Sequence, residues 1–160
     1  MEPPSEHHIE TAVNPSFPNV NESQLAAILS HVLKAERLPS GSASIAVVTD
    51  PEIRDLNHRF RGVSAATDVL TFVDGFSSHL ADIAIAYPTA ARQAEMRGVD
   101  VQQELAMLTI HAGLHVAGYD DETEADQRRM VARMNEIAAA TGVATDAEWW
   151  SRHYAHQEAA

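Results

Sequence analysis

Residues 111–121, His-Ala-Gly-Leu-His-Val-Ala-Gly-Tyr-Asp-Asp, constrain this chain more than any other stretch. His111 and His115 are four apart, so on an α-helix both imidazoles project from one face and can aim two ring nitrogens at one ion. Gly118 offers a left-handed exit, after which Asp121 or Asp120 can reach the same point from a third direction. The spacing predicts a helix whose last turn carries a metal site, the alternative being a pair of ordinary surface or core histidines. Two histidines and one carboxylate, with a position left for water, form a catalytic zinc set, and the same triad suits other divalent ions. Asp121 has a second reading: with Glu124 three positions on, it can cap the following helix in a capping box.

The chain has no cysteine, so any metal must be held by nitrogen and oxygen, and disulfides are excluded. Its 160 residues and 45% hydrophobic content suit one domain with a real core. The first twenty residues lack the basic start and apolar stretch of a secretory signal, and no run is apolar enough to span a bilayer. The expectation is a soluble cytoplasmic protein with no membrane partner. A formal charge of −12 opposes broad nonspecific attachment to nucleic acid or anionic lipid.

Punctuation along the chain separates the elements. Residues 1–8 read as a flexible N-terminal tail, followed by a short strand over Ile9–Val13 and a connection through Pro15 and Pro18. Asn21 or Ser23 can cap a helix reaching Arg37, with Leu25, Ile28, Leu29, Val32 and Leu33 as its apolar stripe. Ala43–Val48 reads as a strand. Asp50-Pro51 supplies a capping side chain and a first-turn proline for a helix reaching about Phe60. Arg61–Asp68 is a polar loop, and Val69–Val73 and Leu80–Ala86 are strands that pair as neighbours across a glycine and serine turn. Pro88 opens and Gly98 closes a helix; Asp100 with Gln103 forms a capping box for the helix carrying the histidines. A further helix spans about Glu122–Ala140, and Asp146 starts a last one. Without strict strand and helix alternation, this order predicts an α+β fold: a single domain, residues 9–141, with a small mixed β-sheet covered by helices and the metal site at the end of a central helix. Residues 142–160 are expected to be a helical C-terminal extension.

A zinc ion with these ligands would make hydrolysis the natural reaction class. The His-x3-His-x2-Gly spacing is that of metzincin proteases, but the position of their general base is Ala112 here. The agreement is broader with another family. His111–Asp121 is similar to the signature HGxLHLxGYDH of the YbeY family. Leu56–Gly62 and Thr67–Phe72 resemble its LNxxYRGxxxPTDVLSF segment, and Leu80–Ile83 resembles its LGDI strand. Met130 also stands where the family often has a methionine, and the likeness runs from about Ile9 to Ala140.

The resemblance implies a zinc-dependent endoribonuclease acting on single-stranded RNA, in maturation of small-subunit ribosomal RNA and ribosome quality control. It implies one Zn²⁺ per chain, or another divalent metal, held by His111, His115 and Asp121. It further implies Arg61 as the catalytic residue beside the metal, and as partners ribosomal RNA and the small ribosomal subunit with its proteins, but not DNA. Asp121 stands in the place of the family's third histidine, Ala66 in that of a proline and Ala81 in that of a glycine. A carboxylate adds negative charge and makes the ion a weaker Lewis acid than three imidazoles would. Two other readings remain: a noncatalytic ribosome-assembly factor with an altered site, and a metzincin-like metallopeptidase. Arg54, Arg59, Arg92 and Arg97 are candidates for a basic groove or ordinary solvated helix charges, His58 and His79 are substitute ligands if Asp121 faces away, and Glu104, on the helical face of His111 and His115, either supports them or faces solvent. Trp149-Trp150 reads as cover for a hydrophobic flank.

Overall fold

The computed structural model describes residues 5–74 and 78–150. Its elements are β1 (His7–Val13), α1 (Glu22–Ala35), β2 (Gly41–Val48), α2 (Asp50–Arg61), β3 (Val69–Val73), β4 (His79–Ala86), α3 (Tyr87–Arg97), α4 (Val101–Val116) and α5 (Glu124–Ala140). The four strands form one mixed sheet in the order β1-β2-β4-β3. β1, β2 and β4 run parallel, and β3 closes an edge antiparallel to β4, with Val69 opposite Ile85 and Phe72 opposite Asp82. This is the expected α+β domain.

Alternation along the strands divides the sheet into two faces. Ala43, Ile45 and Val47 of β2 and Ala81, Ile83 and Ile85 of β4 join the main core, with Leu29 and Val32 of α1 and Leu105, Leu108 and Ile110 of α4. On the opposite face, Ile53 of α2 packs against Val48, Leu70, Ala84 and Ala86. Helix α4 is buried without interruption from Glu104 to Leu114. A helix apolar on every side belongs inside a domain, and its last turn is therefore held by the core itself.

Several boundaries differ from expectation for identifiable reasons. The N-terminal strand begins at His7, because residues 7–13 pair in register with Gly41–Val47. Of the expected tail, Met1–Pro4 lie outside the described residues, as do Gly75–Ser77 of the turn between β3 and β4. Thr49, not Asp50, caps α2: its hydroxyl accepts from the Glu52 amide and Glu52 reaches back to the Thr49 amide. Asp50 is free to accept from Thr89 at 2.8 Å and Arg92 at 2.8 Å. Asp100 caps α4 as expected, but the Gln103 side chain donates to the Ala144 carbonyl rather than closing a box.

Helix α5 is capped by Thr123, whose hydroxyl accepts from the Asp126 amide, and this excludes Asp121 from the cap. No helix starts at Asp146 within the described residues. Its amide and carbonyl are taken by the Asn135 side chain, and its carboxylate accepts from Glu148 in a turn. The described part of the C-terminal extension, 142–150, is thus turn and irregular chain, and 151–160 lie outside the described residues.

α4 crosses α1 at Gly113, where an added Cβ would stand 2.8 Å from Val32 Cγ1 and 3.2 Å from Leu29 Cδ1. Both neighbours are fully buried and have no space to retreat into. Gly113→Ala should therefore destabilise the protein by about 1–2 kcal/mol despite alanine's better helix propensity. The check is a lowered urea midpoint with an unchanged slope; a raised midpoint would show that the helices separate freely.

Candidate metal centre

The end of α4 is built by a Schellman turn. Gly118 adopts φ 99°, its amide donates to the His115 carbonyl at 3.0 Å, and the Tyr119 amide donates to the Leu114 carbonyl at 2.9 Å. The turn delivers the Tyr119 carbonyl to 3.1 Å from His115 Nδ1. A carbonyl only accepts, so Nδ1 carries a proton, and the neutral ring then has its lone pair on Nε2. Asp120 then accepts from the amides of Asp121 and Glu122, and Gln127 of α5 donates to the Asp121 carbonyl. These bonds pin the Asp121 backbone from both sides. Asp120 shapes the turn, and Asp121 is the acid that enters the site.

His111, His115 and Asp121 each bring one ligand atom into a cluster within 4.8 Å. The two Nε2 atoms lie 3.1 Å apart, and Asp121 Oδ2 lies 3.2 Å from His115 Nε2. A tetrahedral ion with bonds of about 2.0–2.2 Å separates its ligands by about 3.3–3.6 Å, so the cluster needs to open only slightly to hold one. Asp121 is buried, and its Oδ2 accepts no hydrogen bond from the described residues. A buried carboxylate oxygen facing an imidazole lone pair is a costly arrangement unless a cation joins them. The donor set therefore fits a divalent metal. His111 is fully buried; desolvation, then the neighbouring His115, holds its pKa well below the usual histidine value, so it stays neutral and able to coordinate.

Arg61 ends α2 and reaches the β3 edge, donating from Nη2 to the Thr71 carbonyl at 2.9 Å. With Val69, Thr71, Val73, His111 and His115 it lines a cavity of about 210 Å³. The fold thus joins a cation and two of the three candidate ligands, which lie 50 residues apart in sequence, on one cavity.

A second layer backs His111. The rings of Trp149 and Trp150 each lie 5.4 Å from the His111 ring. Trp149 is 1% exposed, part of the core, and donates from Nε1 to Glu104 Oε1 at 2.8 Å. Arg97 sits 3.3 Å from the same carboxylate, lies over the Trp149 ring and donates to the Trp150 carbonyl. Burial raises the Glu104 pKa, against the lowering pull of Trp149 and Arg97. Glu104 is therefore a positioning group for Trp149, one step removed from the ligand atoms.

The remaining candidates lie elsewhere. Arg97 is locked in this buried pair, Arg92 binds Asp50 and Arg59 binds Asp55, while Arg54 lines a separate groove with His58. They do not form a basic groove. His58 bonds Ser64, and His79 bonds Ser42 and Asp82 on the other face of the sheet, so neither joins the ligand cluster. Sequence reasoning missed the Tyr119 carbonyl, since a main-chain acceptor leaves no trace in residue type. It also missed Glu104 as the anchor of Trp149, because 45 residues separate the two.

The profile of the family described as Endoribonuclease YbeY matches residues 10–142. The Endoribonuclease YbeY of Moorella thermoacetica is 38% identical over 138 residues, covering 75% of this chain and 88% of that protein. That of Chloroflexus aggregans is 42% identical over 125 residues, covering 70% and 82%. A Thermotoga maritima protein solved in solution superposes with a TM-score of 0.57 at 24% identity, covering 82% of this chain and 90% of that one, a likeness of fold. With its helix-end histidines, its arginine at the sheet edge and a match over most of its length, this chain belongs to the YbeY endoribonuclease family.

Proposed function

We propose that this protein is a zinc-dependent endoribonuclease that cleaves single-stranded RNA, in maturation of small-subunit ribosomal RNA and in ribosome quality control in the cytoplasm. The observation that carries the reading is the cavity on which Arg61, His111 and His115 open together, with Asp121 against His115. Its proposed partners are ribosomal RNA and the small subunit with its proteins.

In this reading His111, His115 and Asp121 hold the ion, and Arg61 holds the scissile phosphate. Zn²⁺ bound there would supply a Lewis acid for a phosphoryl oxygen and a more acidic water. Arg61 has five N–H donors, of which one serves the Thr71 carbonyl. The guanidinium can therefore grip two phosphate oxygens while anchored to the sheet edge, and stabilise the charge that develops on phosphorus. His115 is fixed in one tautomer by the Tyr119 carbonyl, so its lone pair needs no reorganisation on coordination. The nucleophile is either water or the strand's own 2′-hydroxyl, which also separates RNA from DNA. A cyclic phosphate product would identify the second route. Ala112 offers no carboxylate at the position of the peptidase base, which argues against peptide hydrolysis.

Protein purified without added metal or a histidine tag should contain about one zinc per chain by elemental analysis. His111→Ala and Asp121→Ala should lose it, and Arg61→Ala should retain it. Absence of metal from the unaltered protein would support the noncatalytic assembly-factor reading instead.

On a single-stranded oligoribonucleotide, Arg61→Ala should lower kcat by about 10²–10³-fold, the scale expected for removing one donor to a developing oxyanion. Arg61→Lys should restore part of the loss, since it returns the charge without the planar fork. Full activity in Arg61→Ala would remove the arginine from the mechanism.

A further inference from the structure

The proposed active site accounts for Arg61 but not for the residue before it. Phe60 is 64% exposed, the ring of a large apolar side chain left in water on the last turn of α2. It is not a loose ring, because it rests on Phe72 with centroids 5.3 Å apart and planes tilted by 59°. Phe72 projects from the outer face of the edge strand β3, and the Arg61 guanidinium lies 5.6 Å from the centre of the same ring. Val73, 57% exposed, lies on the other face of the strand and lines the cavity with Arg61 and the two histidines. Arg61 thus lines the cavity on one side of the β3 edge and lies against Phe72, and through it Phe60, on the other.

We propose that Phe60 is a stacking platform for the nucleobase that flanks the scissile phosphate, an assignment that rests on the endoribonuclease reading. A strand whose phosphate is held by Arg61 must continue past the β3 edge, and its next base then meets the Phe60 ring. Charge explains why a base is the occupant. RNA-binding proteins ordinarily gain affinity by neutralising phosphates, but this chain carries a net −12 and a single lysine, Lys34. Beyond Phe72 the outer sheet face presents the carboxylates of Asp82 and Glu10, which repel a phosphate backbone. Beyond the phosphate held by Arg61, further affinity is then best supplied by contacts indifferent to charge. Base stacking on an aromatic ring is such a contact, and it is tolerant of sequence because every base has a π face.

The test uses the full, metal-loaded chain and two probes: a single-stranded oligoribonucleotide for cleavage, and its 2′-O-methylated counterpart for binding by fluorescence anisotropy. Phe60→Leu keeps an apolar side chain at an exposed site, so the fold should be undisturbed. It should weaken binding of the methylated strand by about five- to 150-fold, the equivalent of one base stack. KM for the cleavable strand should rise similarly with kcat little changed, and Phe60→Trp should bind at least as tightly as the unaltered protein. An abasic residue at one position should weaken binding to the unaltered protein but not to Phe60→Leu.

Equal binding by Phe60→Leu and the unaltered protein would overturn the assignment while leaving the nuclease reading intact. Loss of association with small ribosomal subunits, with binding to the oligonucleotide unchanged, would make Phe60 a protein contact and likewise overturn it. No cleavage by the unaltered protein, together with weakened binding in Phe60→Leu, would remove the nuclease reading and retain the stack.

Discussion

Helix α4 is buried along eleven consecutive residues, Glu104 to Leu114, and the candidate metal ligands His111 and His115 sit at its C-terminal end. Its enclosure is what makes the site rigid. α1 presses against it at Gly113, between the two histidines, with a separation that leaves no room for a methyl group. The backbone that carries both histidines cannot shift without dislodging a core helix. Preorganisation of this kind lowers the cost of holding an ion, because the ligands are positioned by packing before the ion arrives.

Around that fixed helix the other elements each contribute one polar function. α2 brings Arg61 to the sheet edge, and the antiparallel strand β3 gives it a carbonyl to rest on. α5 ties down the loop carrying Asp121 through Gln127, and the C-terminal segment lays Trp149 and Trp150 along the His111 ring. The buried Glu104–Arg97 pair that secures Trp149 is costly to desolvate, yet each of its members has further partners that offset the cost. A cavity walled by one strand and one helix is thereby given a charged lip and a dry back.

Much of this was legible from residue spacing. The apolar stripe from Leu25 to Leu33 located α1, Asp100 located the start of α4, and the His-x3-His-x2-Gly spacing located the helix end and its exit. What spacing could not distinguish was which of two adjacent aspartates faces inward. That depends on an Asx turn at Asp120 and on a threonine cap at Thr123 that frees Asp121 from capping duty. The caps at Thr49 and Thr123 were present in the sequence as Thr-x-x-Glu and Thr-x-x-Asp, but acidic neighbours competed for the same role. The arginines were misread as a groove for a different reason: burial converts Arg97 from a surface charge into a structural cation, and no local pattern announces it.

The hydrogen bond from His115 to the Tyr119 carbonyl has one further consequence. Because the acceptor is main chain, the choice of ring tautomer is insulated from whichever side chain stands at position 119. Drift at that position leaves the Nδ1 proton in place, provided the peptide follows the same path. The vulnerability is displaced one residue upstream, to Gly118, whose φ of 99° few other residues tolerate. In evolutionary terms the site has exchanged dependence on a side chain for dependence on a bend, and its electronic state is inherited through backbone geometry.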